Sequence, residues 1–184
     1  MTILAFEIEG DVLRRVIFTA IAAVILIVSI TSCTEKAPKI PELVTGFSGN
    51  ANVEMGETKL QCSVSHTERG ISSITVSEPE GLKGLSFKNL GGTYAISYND
   101  LICETENSFL PDSSFAKVIT NVLDKASEEN GASYQKSEED NAVFSGTSKS
   151  GDFMIYADSE TGMIKKIEVP KINITAQFSD TKKL

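Results

Sequence analysis

Chemistry near neutral pH usually draws on a histidine, a reactive thiol or converging carboxylates. This chain of 184 residues has one histidine, His66, and three cysteines, Cys33, Cys62 and Cys103. A Ser-His-Asp or Cys-His arrangement would rest wholly on His66. That residue closes a strand-like run, Thr58–His66, in phase with Leu60, Cys62 and Val64, so its place is that of a structural side chain. A metal site would need several Cys or His ligands at close spacing, and no such group stands in the sequence. The acids gather in Glu128-Glu129 and Glu138-Glu139-Asp140, where solvated turns account for them. No glycine-rich phosphate loop follows a strand. Catalysis, a metal and a cofactor are therefore not expected.

Cys33 has a different setting. Arg14 and Arg15 precede Val16 to Ile30, an apolar run broken only by Thr19 and Ser29. As a helix those 15 residues would rise about 22 Å, short of the roughly 30 Å hydrocarbon core. The length suits the core of a signal peptide, with an uncleaved N-terminal anchor as the alternative. Ile30-Thr31-Ser32-Cys33 resembles the lipobox of bacterial lipoproteins: a branched apolar residue, two small ones, then the cysteine. By this resemblance residues 1–32 are a lipoprotein signal peptide and Cys33 is the lipidated first residue of the mature chain. The protein would then be held on the outer side of the bacterial cytoplasmic membrane. A single acyl chain, at about 0.8 kcal/mol per methylene, binds only marginally, whereas two or more anchor stably. Glu7, Glu9 and Asp11 are unusual in a leader and point to a later start, at Val12 or Leu13.

Over the whole chain 17 bases face 25 acids; without the leader 15 face 22, a net charge of about −7. Phosphate backbones repel such a domain, which excludes nucleic acid as a partner. The charge does not favour lying flat on anionic lipid either, and it serves solubility. Cys62 and Cys103 lie 41 residues apart in strand-like segments. A disulfide between them is one reading, and two small buried side chains the other.

These residues must be positioned by strands. After a tether over residues 33–42, which holds two prolines, segments alternate with period two. Tyr94, Ile96 and Tyr98 share a face in 92–98, as do Ile172, Ile174, Ala176 and Phe178 in 171–178. Strands are further expected at 47–55, 71–77, 85–90, 101–105, 141–148, 152–158 and 163–169. Gly56-Glu57, Arg69-Gly70, Gly91-Gly92, Asn99-Asp100, Gly151-Asp152 and Thr161-Gly162 lie between them, which is turn chemistry for a meander.

One segment follows another period. Phe115, Val118, Ile119, Val122, Leu123 and Ala126 form a helical stripe. Pro111, Asp112, Ser113 and Ser114 give its start signals and Asn130-Gly131 its stop, so a helix from about Ser114 to Glu129 is predicted. Its stripe must be laid on the dry face of the sheet. The predicted fold is mainly β (α+β): a curved, unclosed antiparallel barrel or sheet over residues 43–184, with one main helix on its concave face. That concavity is either filled by side chains or open to an apolar guest. Its candidate lining is Tyr94, Ile96, Tyr98, Phe115, Ile119 and Phe144.

Ser77-Glu78-Pro79-Glu80-Gly81-Leu82-Lys83-Gly84-Leu85 resembles a segment of LolA-like lipoproteins of Firmicutes. Leu110-Pro111, and Tyr156 to Gly162 leading to Glu168-Val169-Pro170, are similar to the same group. The likeness spans about Phe47 to Phe178. The superfamily includes the periplasmic carrier LolA, the stress-response sensor RseB and clostridial spore-germination lipoproteins. The resemblance implies an unclosed antiparallel barrel that binds acyl chains or acts through protein partners without catalysis. No functional residue of the carrier maps onto this sequence. The expectation is therefore a membrane-anchored lipoprotein binding a hydrophobic ligand, a lipid or acyl chain. Its alternative is a protein-interaction lipoprotein with a filled core, regulating an envelope or spore cell-wall partner.

Overall fold

The computed structural model describes residues 40–67, 70–106 and 110–184. Cys33, the leader and the tether up to Lys39 lie outside the described residues. The folded unit is Ile40–Leu184.

Eleven strands form one antiparallel sheet: β1 Phe47–Met55, β2 Thr58–His66, β3 Ile71–Glu78, β4 Ser86–Leu90, β5 Thr93–Tyr98, β6 Leu101–Glu106, β7 Ser133–Glu138, β8 Asn141–Ser148, β9 Gly151–Asp158, β10 Ile164–Val169 and β11 Ile174–Lys183. A single helix of the described residues, α1, spans Phe115–Ser127. The strand order is β6-β5-β4-β3-β2-β1-β11-β10-β9-β8-β7. Two meanders thus meet where β1 pairs with β11. The segment between β6 and β7 must carry the chain from one outer edge of the sheet to the other. Helix α1 lies in that segment, and β6 and β7 are not paired with one another, so the sheet stays open.

The turns sit where the glycines and asparagines placed them. Gly56, Gly70, Gly91, Gly92, Asn99, Gly151 and Gly162 all have positive φ, the region that other L-residues adopt at a steric cost. Gly162 is constrained twice, because a Cβ there would lie 1.9 Å from the Glu42 carbonyl oxygen. That close approach lets the entering chain dock, with Val44 N–H donating to Gly162 O at 3.0 Å. The same β9–β10 turn is locked by Asp158. Its Oδ1 accepts from Glu160 N, Thr161 N and Thr161 Oγ1, and its Oδ2 pairs with Lys165 at 2.9 Å. The lysine and these donors hold its carboxyl well below the usual carboxylate range.

Two elements differ from the sequence-based expectation. β7 was not anticipated, because only Tyr134 in Ser133–Glu138 is even half-buried and the segment has no apolar alternation to read. β11 starts at Ile174 rather than 171: Pro170–Ile172 is a 3-10 turn that Asn173 ends in the left-handed region. The strand then runs to Lys183, five residues past Phe178, along the polar stretch paired with β1.

Candidate functional site

The inner face is built from alternate residues of nearly every strand. Phe47, Val53, Leu60, Cys62, Val64, Ile74, Val76, Phe87, Phe153, Ile155, Ile164 and Ile167 are all buried there. Helix α1 lies on them with Val118, Ile119, Val122 and Leu123 fully buried. Its start is held less by a cap than by a lysine: Ser114 makes no side-chain cap bond. Buried Lys117 instead donates to Leu110 O at 2.8 Å and pairs with Asp112 at 2.8 Å.

Four of the six predicted lining residues, Tyr94, Phe115, Ile119 and Phe144, belong to one apolar cluster, with Ile96 packed against it. Phe115 meets Phe87 edge-on, ring centroids 5.5 Å apart, and Phe144 meets Tyr134 in the same way at 5.9 Å. Ile96 and Tyr98 are half-buried, and the Tyr98 hydroxyl donates to Gly81 O at 2.9 Å. All of the six but Tyr98 face one another as a core. Clefts of about 600, 500 and 380 Å³ open among the described residues, and none of the six lines any of them. The 600 Å³ cleft has polar walls, with Asn89, Asn121, Asp124, Lys125, Glu128 and Lys149. An acyl chain needs apolar ones.

Beneath the helix lies a polar seam. His66 is fully buried, with Nδ1 2.8 Å from Thr45 O and Nε2 3.0 Å from Asp124 Oδ1. Both partners are acceptors when Asp124 is ionised, so the two bonds coexist when each ring nitrogen carries a proton. The imidazole thereby ties β2 to α1 and to the entering chain, and no ring nitrogen is left for a substrate. Next to it Ser72 and Thr120 share a hydrogen bond of 3.0 Å. The Tyr94 hydroxyl close by is buried without a hydrogen bond of good geometry. Burial pushes that phenol up, the nearby Thr120 hydroxyl opposing and the Asp124 charge adding to the shift. The sequence had marked His66 as inward-facing but not its partners. The signal was there: Thr120 and Asp124 lie four apart, beside the apolar stripe.

The disulfide reading is corrected. Both thiols are free, Cys62 buried on β2 and Cys103 exposed on β6. Four strand spacings separate β2 from β6 in the sheet, roughly 19 Å along its surface, whereas bridged Cα atoms lie within about 7 Å. Burial pushes the Cys62 thiol up to about 11, so near neutral pH it stays protonated and unreactive.

The two edges of the sheet differ. β7 has a register shift between Tyr134 and Lys136, and Lys136 pairs with Glu138, so the edge is bulged and charged. β6 pairs with β5 without a shift along its whole length. It carries the two most exposed large apolar side chains of the described residues, Leu101 at 76% and Ile102 at 74%.

Comparison with solved structures returns folds of this kind. The matches include members of the LolA superfamily. A LolA-superfamily protein from Nitrosomonas europaea is similar over 82% of this chain and 91% of its own, at 11% identity and a TM-score of 0.44. A structure of the CwlD amidase from Clostridioides difficile in complex with the GerS lipoprotein matches over 76% of this chain and 84% of its own, at 16% identity and a TM-score of 0.39. A conserved protein from Thermus thermophilus covers 78% and 81%, at 8% identity and a TM-score of 0.49. No family model matches, and no curated protein matches either.

Proposed function

We propose that this chain is an exported lipoprotein, anchored through Cys33 and the tether at 33–42, whose domain is a non-catalytic module that binds an envelope protein. The observation that supports the reading is the burial of α1, whose Val118, Ile119, Val122 and Leu123 are fully buried against the sheet; in this reading the inner face is filled. Recognition is then left to the outside of the domain. The leader and Ile30-Thr31-Ser32-Cys33 support the address. No helix of the described residues is long and apolar enough to cross a membrane.

A second reading, a lipid or acyl-chain ligand, draws on one feature. Past the buried Tyr94, the row on the same face of β5 and β6 opens, with Ile96 and Tyr98 half-buried and Leu101 exposed. A guest laid there would extend the core outward.

Mass measurement on the protein purified from its own host tests both parts. The denatured mass should equal a chain beginning at Cys33 plus its acyl groups. Any other N-terminus, or an unmodified Cys33, contradicts the address. The native mass should equal the denatured one; an additional lipid lost on denaturation would replace the partner reading by the second.

A further inference from the structure

We propose that the outer edge of β6 accepts an added strand from the partner protein, and that this strand carries basic side chains opposite Glu104 and Glu106 and aliphatic ones opposite Leu101 and Ile102. The inference rests on the partner-binding reading and names the surface and chemistry of the partner. A terminal strand presents a row of unpaired backbone N–H and C=O groups. Proteins normally blunt such edges with a bulge, a lysine or a proline. β7 has the first two. β6, Leu-Ile-Cys-Glu-Thr-Glu, has none of the three and is guarded only by the acids Glu104 and Glu106, so it is open to a strand that brings the opposite charge.

The side chains specify the occupant. Pairing with β5 puts Leu101, Cys103 and Thr105 on the face of Tyr98, Ile96 and Tyr94, and Ile102, Glu104 and Glu106 on the outer face. The β5 residues opposite those three are Ser97, Ala95 and Thr93, none of them basic. Neither glutamate is in any ion pair of the described residues. Opposite charges across a strand pair stabilise it, and like charges destabilise it. A second copy of this chain therefore fits poorly. Antiparallel self-pairing centred on Ile102 or Cys103 opposes Asp100 to Glu104 or Glu106, and centring on Glu104 opposes that acid to itself. A strand with lysine or arginine at two alternate positions, followed by aliphatic residues, meets all four side chains.

The test uses two capped peptides, Lys-Thr-Lys-Thr-Val-Val and Glu-Thr-Glu-Thr-Val-Val, with the full chain in detergent. The lysine peptide should bind about tenfold tighter at low salt, with the preference shrinking as salt rises. Its binding should slow amide exchange within residues 101–106. Ile102→Lys should weaken it, and Glu104→Lys with Glu106→Lys should reverse the preference; all three sites are exposed, so the fold is retained. Equal binding of the two peptides, protection at β7 instead, or protection of β6 that rises with protein concentration alone would overturn the proposal. Those results leave the native mass unchanged, whereas failure of the partner reading itself shows as a bound lipid in that mass.

Discussion

Replacing Ile119 by Asp should lower the melting temperature by more than about 10 °C. Ile119 is fully buried in the middle of α1, with Val118, Val122 and Leu123 equally buried beside it. Loss of the aliphatic side chain from a packed site costs about 2–5 kcal/mol. The carboxylate would add a desolvation penalty, because Ile119 is fully buried within the apolar cluster. A loss on the order of 5 kcal/mol is a large part of the 5–15 kcal/mol that holds a typical domain, and each kcal/mol moves a domain of this size by roughly 2–4 °C. Ile119→Val, which keeps the shape, should shift melting by only a few degrees, at about 0.5–1.5 kcal/mol. Thermal denaturation followed by circular dichroism distinguishes them. Equal melting of Ile119→Asp and wild type would remove α1 from the inner face.

Replacing His66 by Leu should cost about 2–3 kcal/mol, although the new side chain is apolar and of similar size. The loss comes from the partners left behind, since a buried acceptor without a donor costs about 1–3 kcal/mol. Thr45 is almost fully buried, so its carbonyl loses its donor without gaining water. The Asp124 side chain is 35% exposed and recovers part of its hydration, which keeps the estimate below that for two sealed acceptors. Asp124→Asn removes the charge from the same contact. In a double-mutant cycle the two changes should couple by about 1 kcal/mol or more, because they share one hydrogen bond. Additive losses would mean that the imidazole does not tie β2 to α1.

The architecture was legible where burial imposes a period. β2 alternates over its whole length, and Leu60, Cys62, Val64 and His66 are all buried as that alternation requires. The stripe of α1 gave its bounds to within two residues, since both the apolar spacing and the flanking turn residues mark them. β7 was invisible because Ser133–Glu138 is polar except for Tyr134 and has no apolar alternation, unlike the other edge strand β6 with Leu101, Ile102 and Cys103. Of the six lining candidates, Tyr94, Phe115, Ile119 and Phe144 join the apolar cluster and Ile96 packs against it, but periodicity cannot say whether inward residues meet each other or a guest. That depends on how far the sheet curls around α1, which is set by distant pairings such as β1 with β11. The β6 edge left a weak mark: Leu101 and Ile102 are adjacent, so in a strand one of them must face away from the core. Cys62 and Cys103 looked alike as strand residues, and only the strand order, four places apart, separates them.

The central claim is that α1 and the sheet fill the inner face, leaving the domain to act through its outside. Equilibrium titration of the full chain with a fluorescent long-chain fatty acid, in a detergent below its own micelle concentration, tests this most directly. The account predicts no saturable binding, with emission unchanged by Ile96→Ala or Tyr98→Ala. Saturable one-to-one binding that excess unlabelled palmitate displaces and that either substitution weakens would contradict it.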